Sequence, residues 1–267
     1  MKIIDCFPFF NELDLLYYRL SILYDVVDHF VISEATKTFS GINKPSFFLD
    51  NKGKFEKFAD KIIHVIDDEF IVPRANTEES WINEKHQREY IKHGLKKLVL
   101  APDDCIIISD LDEIPDPGVL TRIKDEEICI KSIVKLEMDF YYYNLVSQKT
   151  TPWHKAKIVR YDSLQSQFHG NPDNTRLFEN CNTIKRAGWH LSYFGNEDWI
   201  QKKIISFAHQ ELNHEKFTNL ACIKEHIKKG SDLYFRGGEE TIRNVPISEN
   251  TYLPTKYGTY LVNFLGN

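Results

Sequence analysis

The sequence predicts an α/β fold built on a mostly parallel sheet flanked by helices. Two observations carry this. Short β-branched apolar runs alternate along the first half of the chain with segments of helical periodicity, the pattern of βαβ units. The run Cys105-Ile106-Ile107-Ile108 is apolar throughout, as strands covered on both faces of a parallel sheet are. It stops abruptly at Ser109-Asp110-Leu111-Asp112-Glu113-Ile114-Pro115. Ligands of open α/β sheets sit beyond the carboxyl ends of the strands, so Asp110 and Asp112 are expected at the rim of a pocket. One residue apart, both can lean on one divalent cation. Hard ions such as Mg²⁺ or Mn²⁺ take carboxylate oxygens and keep positions free for phosphate. The alternative is an acidic turn after a strand; the apolar run before it and Glu113-Ile114-Pro115 after it favour the metal site.

Composition sets the bounds. The chain has 267 residues, 42% of them apolar, enough for a large core, and no linker or repeat divides it. We expect one domain over 1–267. A net charge of −5, with Lys and Arg scattered, argues against nucleic acid as a partner. Five cysteines without C-x-x-C spacing suit reduced thiols. Met1-Lys2-Ile3-Ile4-Asp5 puts an acid where a signal peptide needs an apolar run, and no stretch is long enough to span a bilayer. The expectation is a cytoplasmic protein with no signal peptide or membrane span. A domain trimmed from a membrane-anchored parent reads the same way.

In chain order, Ile3 and Ile4 open a strand ending near Phe7-Pro8. Asn11 suits an N-cap and Asp14 a first turn; Leu13, Leu16, Leu20 and Leu23 follow at helical spacing, predicting a helix from about Glu12 to Tyr24. Val26, Val27 and Phe30-Val31-Ile32-Ser33 predict a second strand ending at Glu34, either a site carboxylate or a salt-bridged one. Thr38 to Lys52 reads as loop, and Phe55 to Asp60 as a short helix. Lys61 to Ile66 predicts a third strand, followed by Asp67 and Asp68. Asn76 and Glu79 have capping-box spacing. The helix beyond is expected to turn Trp81, Ile91, Leu95 and Leu98 to the sheet and to leave Asn83, Gln87 and Arg88 off that face. Arg88 either grips a diphosphate through its planar fork or is an ordinary salt-bridged arginine.

In the second half, Val119 to Lys124 reads as a short helix. Ile128 to Val134 continues as a strand towards Leu136-Glu137-Met138-Asp139-Phe140. Tyr141, Tyr142 and Tyr143 are either a platform for sugar rings or a strand face in the core. Lys155 to Tyr161 is a further strand, and His169 to Asn174 a polar loop. In Gly188-Trp189-His190 the glycine suggests close backbone approach, and His190 is either a third metal ligand or a packed core histidine. Asn196 caps a helix carrying Trp199, Ile200, Lys203, Ile204 and Phe207, and Asn213 to Lys229 reads as helical. Gly230, Gly237 and Gly238 mark loops; the tail through Pro254 and Tyr257 has no strong pattern.

Several ordered motifs together resemble one family. Asn11-Glu12-x-Asp14-x-Leu16, Arg19-Leu20, Asp25-Val26-Val27-Asp28, Phe30-Val31 and Glu34 are similar to the start of glycosyltransferase family 17. Asp103-Asp104, Ile107-Ile108 and Asp110-x-Asp112-Glu113-Ile114-Pro115 resemble its D-x-D segment, and Ala187-Gly188-Trp189-His190-x-Ser192 its A-G-W-H-x-S element. The likeness runs from Ile3 to Glu211. It implies a GT-A-like fold, a UDP-sugar donor of the UDP-GlcNAc type, Mn²⁺ or Mg²⁺, and inverting transfer to a glycan acceptor. The animal members carry a membrane anchor and luminal stem, which are not expected of this chain, so a bacterial or viral glycan stands beside an N-glycan as acceptor.

On this reading Asp112 is the first metal ligand and Asp110 the second, unless Asp110 holds the donor ribose or acts through water. His190 is the third ligand. Glu34, Arg88 and Trp189 join Asp110 on the donor side. The base that takes the acceptor proton is sought among Asp139, Glu137 and Glu197, the first two ahead because the strand before them can bring them near the D-x-D. Two rivals remain: a Mg²⁺-dependent phosphatase of the haloacid dehalogenase type, in which the first Asp is the nucleophile, and a non-catalytic glycan-binding module using the aromatic patch.

Overall fold

The computed structural model of the chain describes residues 1–74, 78–234 and 242–266. The expected cap at Asn76 and the loop glycines Gly237 and Gly238 lie outside them. The chain runs through β1 (Ile3–Phe9), α1 (Leu13–Leu23), β2 (His29–Ala35), α2 (Phe47–Asp50), β3 (Ile62–Asp67), α3 (Ser80–Leu95) and β4 (Cys105–Ile108). It continues through β5 (Glu113–Pro115), α4 (Pro117–Lys124), β6 (Ile133–Leu136), β7 (Asp139–Tyr142), β8 (Ser147–Lys149) and β9 (Lys157–Arg160). Then come α5 (Tyr161–Phe168), α6 (Pro172–Leu177), β10 (Asn182–Ile184), β11 (Gly188–Ser192), α7 (Glu197–Ser206), α8 (Glu215–Thr218), α9 (Leu220–Lys229), β12 (Ile242–Asn244) and α10 (Tyr257–Tyr260).

Among the described residues the central sheet has the order β10-β6-β9-β4-β1-β2-β3. β4, β1, β2 and β3 are parallel to their neighbours in that run, and β9 is antiparallel to both β4 and β6. The expected α/β class with a mostly parallel sheet is what is found. Alternation of side chains explains the continuous apolar strands. Ile3, Phe7, Phe30, Ile32, Cys105 and Ile107 pack with α1 on one face. Ile4, Cys6, Val31, Ile106 and Ile108 pack with Ile91 and Leu95 of α3 on the other. The chain steps outward from β1 to β2 and β3, then returns to β4 on the other side of β1. That reversal opens a crevice beyond the carboxyl ends of β1 and β4, where Asn11-Glu12 and the D-x-D leave the sheet.

A second sheet, β12-β8-β7-β11-β5, was not foreseen. The strand expected to continue from Ile128 through Phe140 breaks at Glu137-Met138, so β6 stays in the central sheet and β7 enters the second. β5 runs antiparallel to β11, setting Glu113 opposite His190 and Ile114 opposite Trp189. Gly188 makes this possible: its φ is +153°, and a Cβ there would collide with the Ile114 carbonyl oxygen. The close approach read from the sequence is thus real, and it carries His190 to the D-x-D.

Other departures are local. Glu12, not Asn11, stands at the N-cap of α1, with no side-chain cap bond; the Asn11 Oδ1 accepts from Trp199 Nε1 at 3.2 Å. The Thr38–Lys52 region contains α2, and a 3₁₀ turn covers Lys52–Phe58. Pro172–Leu177 is helical, with Asn171 accepting from Asn174 N. Two helices, α8 and α9, replace the one expected over Asn213 to Lys229.

On α3 the predicted face is wrong at its start. Trp81 is 37% exposed, set edge-on against His209, whereas Asn83, Gln87 and Arg88 are buried. Asn83 and Gln87 donate to the carbonyls of Phe39, Ile71, Phe9 and Ser33. Loops leave the sheet at this end, and their carbonyls need donors more than apolar cover. No helix of the described residues is long and apolar enough to cross a membrane.

Candidate active site

The D-x-D loop is held from below by one arginine. Arg19, on α1, is fully buried and spends its whole guanidinium there. It forks onto Asp5 at 2.8 and 2.6 Å, meets Ser109 Oγ at 2.6 Å, and donates to the carbonyls of Asp110, Leu111 and Glu113 at 2.8, 3.0 and 2.8 Å. Only a planar fork of five N–H groups can serve so many acceptors at once. Arg19 therefore shapes the loop without reaching its open side.

Two acids of the motif are neutralised from the sides. Arg176 of α6 pairs with Glu113 at 2.7 and 2.6 Å and with Asp110 at 2.6 Å. Arg88 reaches Asp110 at 3.4 Å, Asp173 at 2.6 Å and Glu84 at 2.9 Å. Burial alone would raise the Glu113 carboxyl; Arg176 outweighs it and holds the group at about 2. Trp153 Nε1 adds a hydrogen bond to Glu113 Oε1 at 2.5 Å.

Asp112 is placed differently. Its Oδ1 lies 3.5 Å from His190 Nε2 and its Oδ2 3.1 Å from Lys203 Nζ, which is also 3.6 Å from Glu12 Oε1. Burial would raise Asp112, but Lys203 and then His190 outweigh it and keep its carboxyl well below the usual range. Lys203 is shifted the other way: burial would lower it, and Asp112 and Glu12 raise it. The His190 ring stacks on Phe140 and leans against Trp153, with centroids 4.4 and 4.5 Å away. Its Nδ1 is buried and has no hydrogen-bond partner among the described residues.

Beside this cluster opens a cavity of about 1160 Å³. Glu12 and Glu197 line it, with the aromatic rings of Tyr143, Trp199 and Tyr260 and the side chains of Asn144 and Asn244. Glu12 joins the two, lining the cavity and touching Lys203, which touches Asp112.

The site residues expected from sequence divide accordingly. Asp112 and His190 come together, and Glu197 faces the cavity. Asp110 is turned onto Arg176 and Arg88, so the three expected ligands do not converge; among the described residues no three His, Cys, Asp or Glu side chains share one ion position. Arg88 is tied into the same network rather than open to a diphosphate. Glu34 is fully buried and saturated by His64 at 3.0 Å, Phe48 N at 3.0 Å and Lys44 at 3.6 Å, a structural carboxylate. Trp189 is 1% exposed and donates to Tyr252 O, so it too belongs to the core. Asp139 has the wrong parity, and Glu137 sits at the break between β6 and β7, its backbone bonded to Ile184 and Ala187. Phe140 stacks on His190, so Asp139, one residue away on the same strand, points to the opposite face, where Gln148 Nε2 meets it at 2.9 Å. The three tyrosines are core residues, although Tyr143 also borders the cavity.

Sequence reasoning passed over Glu12, Arg19, Arg176 and Lys203. Lys203 did leave a signal, a charged residue inside an apolar helical stripe between Ile200 and Ile204. The phosphatase rival needs Asp110 free to attack; two arginines hold it.

The model of glycosyltransferase family 17 matches residues 1–242. The chain belongs to this family. Two curated relatives, the beta-1,4-mannosyl-glycoprotein 4-beta-N-acetylglucosaminyltransferases of Rattus norvegicus and Homo sapiens, are each 27% identical over 95% of this glycosyltransferase chain and 52% of their own length. The chain thus spans about half the length of the curated relatives it matches. Among solved structures, 4-diphosphocytidyl-2C-methyl-D-erythritol synthase of Anaerococcus prevotii aligns with a TM-score of 0.39 at 10% identity, covering 79% of this chain and 98% of its own. Glucosyl-3-phosphoglycerate synthase of Mycobacterium tuberculosis, in complex with Mn²⁺ and UDP-glucose, aligns with 0.35 at 13%, covering 82% and 78%. Likeness at that level decides nothing about this chain.

Proposed function

We propose that the chain is a metal-dependent, inverting glycosyltransferase with a GT-A-like fold, moving GlcNAc from UDP-GlcNAc onto a glycan hydroxyl to form a β-linkage. Family membership and the names of the curated relatives support the sugar. The observation that carries the reading is Asp112, buried at the reversal point of the sheet between His190 and Lys203, with a cavity beside it large enough for sugar rings.

A divalent ion of the Mn²⁺ or Mg²⁺ type fits Asp112 and His190 as a pair of protein donors. Ions of this class are bound through one or two carboxylates and complete their shell with water and substrate phosphate, so a third protein ligand is not required. Asp110 takes no part and serves the loop's shape instead. The His190 ring lacks the outer hydrogen-bond partner that usually orients a ligating imidazole. Its packing against Phe140 and Trp153 fixes the ring in its place. Asp112 and His190 would hold such an ion, which would supply positive charge to offset a diphosphate.

The chain's own groups do the rest. The acceptor sugar enters the cavity and sits against its aromatic and amide lining. Glu197 takes the acceptor proton. It opens onto the cavity and has Lys224 at 3.9 Å, whereas Glu12 faces Lys203 and its Oε2 accepts from Asn11 N. The ion pair of Glu197 is the longer of the two, which leaves it the freer carboxylate for the acceptor hydroxyl.

The test is Asp112→Asn. An amide is a poor ligand for a hard cation, so the variant should fold but lose the Mn²⁺-dependent part of UDP-GlcNAc binding and turnover. Calorimetric titration of the donor with and without Mn²⁺, alongside thermal unfolding, reads both. Undiminished metal-dependent turnover would remove Asp112 from the site.

A further inference from the structure

Four separate elements meet at the crevice: the β1 exit with Glu12, the β4 exit with Asp112, β11 with His190, and α7 with Lys203. Asp112 and His190 have been given work there. Lys203 has not. We propose that Lys203 is a catalytic residue: its ammonium binds the diphosphate of the sugar nucleotide directly and carries part of the charge that collects there as the glycosidic bond breaks. This rests on the donor reading above.

The supply of positive charge around the motif points to Lys203. Arg19 is spent on Asp5, Ser109 and three carbonyls. Arg176 is spent on Glu113 and Asp110; Arg88 forks onto Asp173, Glu84 and Asp110, and its Nε, which has no partner among the described residues, is buried. Among the described residues at the motif, Lys203 is the cation placed on the open side. Its Nζ passes 5.1 and 5.4 Å from the centroids of Trp199 and Tyr193, and its side chain is 21% exposed. A lysine ammonium has three N–H groups, and Asp112 and Glu12 occupy two directions, which leaves one for a ligand.

The need is also on the page. Asp112 and Glu12 are two negative charges beside one lysine. A diphosphate arriving there meets carboxylates first, and each cation that faces it offsets that repulsion. In the step itself, the bond between the anomeric carbon and the bridging phosphate oxygen breaks, and its electron pair stays on that oxygen. Lys203 donates a hydrogen bond to the phosphate group and keeps its proton. The acceptor oxygen forms the new bond to the anomeric carbon, and its proton passes to Glu197.

The competing explanation is that Lys203 merely pins α7 to the D-x-D loop. Binding of UDP alone, measured by calorimetry in EDTA and again with Mn²⁺, separates the two. The comparison that decides is Asp112→Asn against the double variant Asp112→Asn with Lys203→Met. Both are made in a Glu12→Gln background, so that the two carboxylate partners of Lys203 are already gone and a pinning role predicts equal UDP affinity. Contact with the diphosphate predicts that the double variant binds UDP at least about tenfold more weakly, with and without metal, the scale of a lost charge-assisted hydrogen bond. Asp112→Asn alone should bind UDP in EDTA no more weakly than the wild type, since it removes a repulsive charge. Lys203→Arg, which keeps the cation, should retain most of the affinity. Equal binding by the single and double variants overturns the proposal. A wild-type chain that binds no UDP even with Mn²⁺ overturns the donor reading instead, and the two failures cannot be confused.

Discussion

Asp112 and Glu113 are neighbours in sequence and spend their charges differently. Glu113 faces Arg176 and Trp153 inside the protein, while Asp112 faces His190 and Lys203 at the crevice. The same logic of facing decides the base. If Glu197 accepts the acceptor proton, Glu197→Gln should lower kcat by about 10²- to 10⁴-fold and leave UDP affinity unchanged, because the group meets the acceptor and not the diphosphate. Asp139→Asn, on the far face of β7, should stay within a few-fold of wild type. Steady-state kinetics beside calorimetry gives both numbers; the reverse pattern would return the base to β7. A third residue tests the core. Lys157 is fully buried, its Nζ donating to the carbonyls of His154 and Lys155 at 3.1 and 3.0 Å. Burial pushes its ammonium down from 10.5 to about 8. Between those values the unfolded chain holds a proton that the folded chain has released, so stability rises with pH across that window. Below about 8 both states are protonated and the burial cost is felt in full. Lys157→Met removes the group, so the wild type should gain stability relative to the variant as pH climbs from 8 towards 10.5. Urea midpoints that move in parallel for the two proteins would show that Lys157 ionises normally.

At the scale of elements, the loop between β4 and β5 stays in shape because α1 delivers Arg19 beneath it. Arg19→Met would strand Asp5 and three carbonyls in the core, at a cost of about 3–5 kcal/mol, the range for breaking a buried ion pair. Arg19→Lys keeps the charge but not the fork. We expect it to fold with a lower Tm and to bind UDP weakly even with Mn²⁺; full metal-dependent binding by this variant would mean that the loop holds its own shape. Sequence showed the loop but not the clamp, for a physical reason. Apolar continuity from Cys105 to Ile108 is a local signal, as is the glycine that lets β11 approach β5. Arg176 lies 66 residues from Asp110 and 63 from Glu113, in a segment whose Asn-Pro-Asp run reads as a loop. Its Asn cap and N1 proline are also the start of α6. The polar face of α3 misled for a related reason: periodicity locates apolar residues, and here the inner face begins with Asn83 and Gln87. The second sheet was hidden because β7 leaves the central sheet at Glu137-Met138, where no glycine or proline marks the break.

For the molecule as a whole, the proposed reading has donor and acceptor on different sides of one point. The reversal between β1 and β4 puts Asp112 at the crevice, α7 sets Lys203 beside it, and the cavity opens beyond Glu12 towards Glu197 and the α9 end. In the proposed arrangement the acceptor therefore reaches the anomeric carbon from the cavity while the diphosphate departs on the side of Asp112. One displacement from the face opposite the leaving group inverts the centre. A retaining route through a covalent glycosyl intermediate would need a carboxylate of the chain against that same face, in the space the acceptor must occupy. Sugar nucleotides of the UDP-GlcNAc type are α-linked, so the product should be the β-glycoside. Proton NMR of the product, read from the coupling of its anomeric proton, decides the point: the large coupling of an axial proton is expected, and the small coupling of an α-linkage would overturn the inverting mechanism and the placement of the acceptor in this cavity together.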